Sequence, residues 1–169
     1  MYNSGDYGDF TGHMGNTWIQ IEISSSGSIL ETIVKERALS QDVVANAADL
    51  SQGLVSSGHT VVQGVLFDTG KAELKPESGA ALQEVAKLLQ EDADLKIFVV
   101  GHTDNVGQVA ANVDLSKRRA EAVVRALTTQ YSVQAVRLSS FGNGPYARVS
   151  TNDTDEGRAS NRRVELVKQ

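Results

Sequence analysis

Apolar residues recur along this chain with two periods, and the changes between them mark the elements. Thr17 to Ser24 reads TWIQIEIS, with Ile19, Ile21 and Ile23 alternating against Trp18, Gln20 and Glu22, the pattern of a strand. Ser25, Ser26 and Gly27 supply a turn, and Ser28 to Lys35 (SILETIVK) returns as a second strand, so a hairpin is expected. Leu39, Val43, Ala47, Leu50 and Leu54 then step along one helical face. That predicts a helix over Ser40–Ser57, with Ser40 as N-cap and Gly58 as its stop. His59 to Phe67 reads as a buried strand, and Asp68-Thr69-Gly70-Lys71 breaks it. Lys75-Pro76-Glu77-Ser78 opens a helix whose stripe is Leu82, Val85, Ala86 and Leu89, ending near Glu91. Leu95 to Gly101 is the next strand, followed by a helix beginning near Leu115. Val136 to Phe141 is a further strand, ended by Gly142-Asn143-Gly144-Pro145. Ser150 to Asn161 is polar and expected to loop, with at most one helical turn. Arg162 to Val167 closes the chain as a strand with Val164 and Leu166 on one side.

Strands alternating with helices favour parallel neighbours joined by right-handed crossovers. The expected fold class is α+β, one mixed sheet packed under two or three helices. Residues 1–16, rich in Gly, Asn, Asp and Tyr, are set aside as a tail. Residues 17–58 form a hairpin-plus-helix extension, and residues 59–169 the main domain.

One residue breaks the apolar pattern of the central helix. Leu115, Ala122, Val123 and Ala126 share a face, and at ~100° per residue Arg119 falls inside that stripe, while Arg118 lies roughly a quarter-turn away. A guanidinium turned toward a core requires an anion, because an unpaired buried charge is costly. Asp104, in the turn Gly101-His102-Thr103-Asp104-Asn105, has no local partner of opposite sign. Asp104 or an anionic ligand is the candidate. A carboxylate and a guanidinium held a few ångströms apart suit a zwitterion: Asp104 takes an ammonium and Arg119 grips a carboxylate through its planar fork. Such a pair binds an amino-acid head group without doing chemistry. In the empty protein the two should leave a gap between them.

Composition narrows the alternatives. The chain has 169 residues, 40% hydrophobic and 22% charged, with a net charge of −5, so the overall basic field of a nucleic-acid binder is missing. Its basic residues cluster at Lys117-Arg118-Arg119 and at Arg158, Arg162 and Arg163, which suits a discrete anionic target. The absence of cysteine excludes thiol catalysis, thiolate metal sites and disulfides. No apolar run reaches membrane-spanning length, and no signal-peptide pattern opens the chain.

Enzyme motifs fare poorly. Gly142-Asn143-Gly144-Pro145-Tyr146-Ala147 follows a strand, but Pro145 and the polar residues after it open no helix, so a dinucleotide site is rejected in favour of a turn. Neither G-x-S-x-G nor S-x-x-K occurs. His102 and Asp104 lack a nearby second histidine, and a hydrogen-bonded turn histidine is the preferred reading for His102. Asp153, Asp155 and Glu156 miss the spacing of a calcium loop and are expected to cap a turn or pair with Arg158. No metal, cofactor or catalytic residue is predicted.

The ordered motifs VVGHTDNVG, Asn112, LSKRRAEAV, RLSSFGNGP and the closing EGRASNRRVELV, preceded by GVLFDTGKAELKPES, resemble the OmpA-like peptidoglycan-binding domain over roughly Val61 to Lys168. The resemblance implies a βαβαβ core with a final antiparallel strand. It implies non-covalent binding of peptidoglycan through the zwitterionic end of meso-diaminopimelate in the peptide stem, with no cofactor. By motif position the ligand aspartate falls on Asp104 and the ligand arginine on Arg119. Thr103, Asn112, Leu115 and Ser116 match supporting positions, Phe67 and Asp68 a strand end bordering the pocket, and Asn161 and Arg162 the closing Asn-Arg-Arg motif. Arg163 should alternate away from Arg162. The implied setting is the periplasm of a Gram-negative bacterium at the outer membrane, with export signal and anchor expected outside these residues. The alternative reading is an envelope domain that docks other proteins through an apolar face on Trp18 to Leu54 and binds no wall.

Overall fold

In the computed structural model, which describes residues 9–14, 17–23, 28–35 and 46–169, the alternating N-terminal stretch does form strands. β1 (Asp9–Met14), β2 (Thr17–Ile23) and β3 (Ile29–Lys35) make an antiparallel sheet in the order β1-β2-β3. The expected hairpin runs in register from Thr17 opposite Lys35 to Ile23 opposite Ile29. Residues 9–14, placed in the tail by composition, add the third strand, with Phe10 opposite Ile21 and His13 opposite Trp18. The reason is backbone pairing: a lone hairpin is marginal, and β1 closes the open edge of β2. Residues 1–8, 15–16, 24–27 and 36–45 lie outside the described set, and with them the expected N-cap Ser40.

The chain divides between Gln41 and Asp42, and the second unit carries everything that follows. α1 (Ala47–Ser57) is capped by Asn46, whose side chain accepts from the Asp49 N–H, and stops at Gly58 at φ +76°. Its Ala47, Leu50 and Leu54 are buried in the second unit's core, so the helix belongs there and not with the hairpin. β4 (His59–Val61) is shorter than its apolar run, because Gly64 at φ +88° turns the chain away. Phe67 is therefore not a strand end; it makes an isolated bridge to Leu74. α2 (Gly79–Glu91), β5 (Ile97–His102), α3 (Val109–Gln130), β6 (Leu138–Gly144), α4 (Asp155–Asn161) and β7 (Val164–Lys168) complete the unit. The sheet order is β4-β7-β5-β6, with β5 and β6 parallel and β7 antiparallel to both β5 and β4. This is the mixed α+β architecture expected. Ile97 and Val99 of β5 and Val164 and Leu166 of β7 meet Leu50, Leu82, Val85, Leu89, Val123 and Leu127 from the helices in one core.

Three boundaries differ from the apolar pattern. α3 begins at Val109, not near Leu115, because Val109, Ala110 and Ala111 carry the helix upstream and Asn112 N–H already bonds Gln108 C=O. β6 runs through Gly142 and Gly144, where a turn was expected. α4 is seven residues long, more than the single turn expected, because Thr154 Oγ1 accepts from Gly157 N–H and Asp155 and Glu156 sit in its positive first turn.

The glycines of β5 and β6 explain how α3 is seated. A Cβ added at Gly101 would overlap the Ser116 carbonyl oxygen, and one at Gly142 would overlap the Lys117 backbone nitrogen. Ser116 Oγ donates to Val113 C=O at 2.8 Å and accepts from Gly144 N–H at 2.9 Å, pinning helix to strand. Gly101→Ala should therefore lower the free energy of unfolding by about 1–3 kcal/mol or more in urea titrations, since backbone rather than a flexible side chain must give way. Gly70→Ala, at φ +71° with open space around it, should cost only about 1–2 kcal/mol from backbone strain. A smaller loss at Gly101 than at Gly70 would contradict the close seating.

Candidate functional site

β5 delivers Thr103 and Asp104 to one end of the sheet, and Thr103 N–H bonds Gly144 C=O at 3.0 Å as the strand ends. Asp104 is 8% exposed. Its Oδ1 accepts from Val106 N–H at 3.1 Å, and its Oδ2 accepts from Arg162 Nη1 at 2.6 Å. Asn112 Nδ2 donates to the carbonyls of Val106 and Asp104, at 3.0 and 3.4 Å, which ties this turn to α3.

Arg119 faces inward from α3 and is 5% exposed, as its helical phase predicts. Nε donates to Lys71 C=O at 2.9 Å and Nη2 to Asp68 C=O at 3.2 Å. The guanidinium carbon lies 4.9 Å from the centre of the Phe67 ring, in cation–π range. Burial pushes its pKa below the ordinary value, the Arg162 charge pushes the same way, and Asp104 opposes them. Among the described residues Nη1 has no hydrogen-bond partner, and no carboxylate stands within 4.0 Å of this guanidinium. Asp104 takes its ion pair from Arg162 instead. An internal Asp104–Arg119 bridge, one of the two options for the buried cation, is therefore excluded, and the expected gap between the pair is present.

That gap is a cavity of about 340 Å³. Of the ten residues singled out from sequence, Thr103, Asp104, Asn112, Leu115, Arg119 and Arg162 line it. The other four stand behind it. Phe67 and the Asp68 carbonyl support Arg119, while the Asp68 carboxylate turns to Lys71 and Lys75, at 3.2 and 3.5 Å, and is acidified first by Lys71 and then by Lys75. Ser116 fixes α3 to β6. Asn161, fully buried, clamps residues 149–152 through both ends of its amide. Thr69, Gly70, Val106 and Arg158 also line the cavity and were not singled out. For Arg158 a signal existed, since four residues separate it from Arg162, the spacing of one helical face. Thr103, also in the cavity wall, has its Oγ1 buried without a hydrogen-bond partner among the described residues. A larger depression of about 510 Å³ along α3, bordered by Arg118, Glu121 and Arg125, has no buried polar group in its wall.

Comparison with known proteins gives the family. The OmpA family model matches residues 66–162, more than half of the chain. The chain belongs to the OmpA family. It is 42% identical over 103 residues to YiaD of Escherichia coli (strain K12), covering 61% of this chain and 47% of that protein. It is 42% identical over 101 residues to the outer membrane porin F of Pseudomonas aeruginosa, covering 60% of this chain and 29% of the porin. The chain thus spans less than half the length of these two relatives. Among solved structures it is similar to the peptidoglycan-associated lipoprotein of Burkholderia pseudomallei, with a TM-score of 0.57 and 31% identity over 62% of this chain and 88% of that one.

Behind the cavity of this OmpA-family domain lies a buried polar group that the sequence did not reveal. His102 is 2% exposed at the end of β5, not in a turn, and its Nε2 stands 3.5 Å from Glu165 Oε2 without the geometry of a hydrogen bond. Neither ring nitrogen has a hydrogen-bond partner among the described residues, so the hydrogen-bonded turn histidine expected from sequence is not found. Arg163 Nε donates to Glu165 Oε1 at 2.7 Å and Arg163 Nη2 to Ala147 C=O at 2.9 Å, so Arg163 does turn away from Arg162. Interaction with His102 first, then with Arg163, lowers the Glu165 pKa from 4.5 to about 2 against the opposing effect of burial. A carboxylate acidified by folding stabilises the fold above its unfolded pKa and loses that contribution as pH falls through the folded one. Stability should therefore drop between about pH 5 and pH 2 by on the order of 2 kcal/mol from this group. Chemical denaturation of wild type and Glu165→Gln across that range checks it: the mutant should be less stable at pH 6 and show a flatter acid limb. Parallel curves would remove Glu165 from the account.

Proposed function

We propose that this chain binds peptidoglycan non-covalently through the zwitterionic end of meso-diaminopimelate in the peptide stem, and so ties an envelope component to the wall. The observation that carries the reading is the Arg119 guanidinium, buried and held in place yet with Nη1 unused and no carboxylate within 4.0 Å. Two backbone carbonyls orient the fork without neutralising it, and Phe67 stabilises its face. A ligand carboxylate supplies the missing anion. The ligand ammonium goes to Asp104, where it competes with Arg162, a side chain 43% exposed and therefore able to yield at modest cost. Thr103 stands in the same wall, and Asn112 and Leu115 bring the N-terminal part of α3 to it.

The chain is a binding protein and not an enzyme, in keeping with relatives named as a porin and a peptidoglycan-associated lipoprotein. We place it in the periplasm, associated with the outer membrane of a Gram-negative bacterium. Among the described residues no helix is long and apolar enough to cross a membrane. The alternative, a docking domain that uses an apolar face from Trp18 to Leu54, loses Leu50 and Leu54 from that face, because both are buried in the core.

Titration calorimetry with meso-diaminopimelate, alongside co-sedimentation with isolated peptidoglycan, tests the reading. Arg119→Ala and Asp104→Ala should each weaken binding by about 2–4 kcal/mol, roughly 30- to 1,000-fold. Wild-type affinity in either mutant would overturn the assignment of that residue, and retention in both would overturn the site.

A further inference from the structure

The charges around the cavity do not match a lone zwitterion. Arg119, Arg158 and Arg162 face it, against Asp104 alone. Arg158 gives Nη1 to Asn152 C=O at 2.6 Å and Nη2 to Asp155, whose side chain is 91% exposed and stands outside the lining, where such a pair is weak and leaves most of the charge in place. A ligand head with one ammonium and one carboxylate adds no net charge, so the excess of guanidinium would persist in the complex.

Arg162 is the group best placed to use that excess. It gives Nη1 to Asp104, while its Nε and Nη2 have no partner among the described residues. It also borders a second depression of about 280 Å³, beside Gln63, Gly64, Val149 and Ser160. The chain attached to a bound zwitterion has to leave the cavity, and Arg162 borders both the cavity and this groove. Building on the reading above, we propose that the site recognises a second carboxylate on the same stem: the free α-carboxylate of the γ-linked D-glutamyl residue before diaminopimelate docks on the open edge of Arg162, with Arg158 reinforcing the charge. Occupation of that edge also relieves the pressure that Arg162 puts on Arg119. Arg162 thus distinguishes wall stems whose D-glutamyl carboxylate is free from those in which it is amidated.

The test uses two tetrapeptides, L-alanyl-γ-D-glutamyl-meso-diaminopimelyl-D-alanine and its D-isoglutaminyl counterpart, titrated against the whole chain. The two differ only by carboxylate against carboxamide. Wild type should prefer the free carboxylate by about five- to tenfold, as expected for one partly exposed charge-assisted contact. The preference should shrink as salt is raised. In Arg162→Gln the two affinities should converge, whatever the change in their absolute values. Arg158→Gln, which leaves the partner of Asp104 in place, should narrow the ratio in the same direction. Equal wild-type affinities for the two peptides would overturn the second-carboxylate proposal while leaving zwitterion binding intact. Failure of wild type to bind either would overturn both.

Discussion

A guanidinium buried against two backbone carbonyls and an aromatic face, with no carboxylate beside it among the described residues, is the constraint on which this site depends. Arg119 can occupy that position only because α3 lies almost in backbone contact with β5 and β6. The glycines of those strands and the Ser116 hydroxyl make that approach possible, so the packing of a helix on a sheet fixes the electrostatics of a cavity. Burying a charge without a matched counter-charge opposes folding, and the surrounding core of Val, Leu and Ile offsets it.

The opposing wall follows the same logic with the sign reversed. Asp104 is buried, but its charge is answered by Arg162, a long, half-exposed side chain that starts 58 residues later in the sequence. One partner is held rigidly and left unsatisfied; the other is satisfied by a group that can move. This asymmetry is what the zwitterion proposal rests on: a ligand would bring its own carboxylate to Arg119 and its own ammonium to Asp104. The His102–Glu165–Arg163 group, on the strands that deliver these residues, links the stability of the frame to acid pH without lining the cavity.

Much of this was legible before any coordinates. Helical phase alone turned Arg119 inward, since a 3.6-residue period leaves little freedom once Ala122, Val123 and Ala126 define the buried stripe. The order of strands and helices specified the mixed sheet. Position in a motif was less informative about packing: Ser116, Asn161, Phe67 and Asp68 are not among the residues lining the cavity, and their contacts reach α3, β6 and residues 149–152. Pairings between residues distant in sequence were less legible: the motif series brought Arg162 to the site without naming Asp104 as its partner, and nothing near His102 announces Glu165. The glycines misled in the opposite way, since Gly142 and Gly144 look like a turn and are strand residues kept small by the helix above them. Residues 9–14 looked like a tail for a related reason, their polar composition concealing a strand made by backbone pairing.

The zwitterion proposal pairs Arg119 and Asp104 with a ligand and not with each other. A crystal structure of the protein soaked with meso-diaminopimelate is the decisive measurement. The expected result is a ligand carboxylate on Arg119 Nη1 and Nη2, the adjacent ammonium on Asp104 Oδ2, and Arg162 displaced from that oxygen. A ligand seated elsewhere, or an Arg119 that turns to pair with Asp104 while the cavity holds only water, would contradict it.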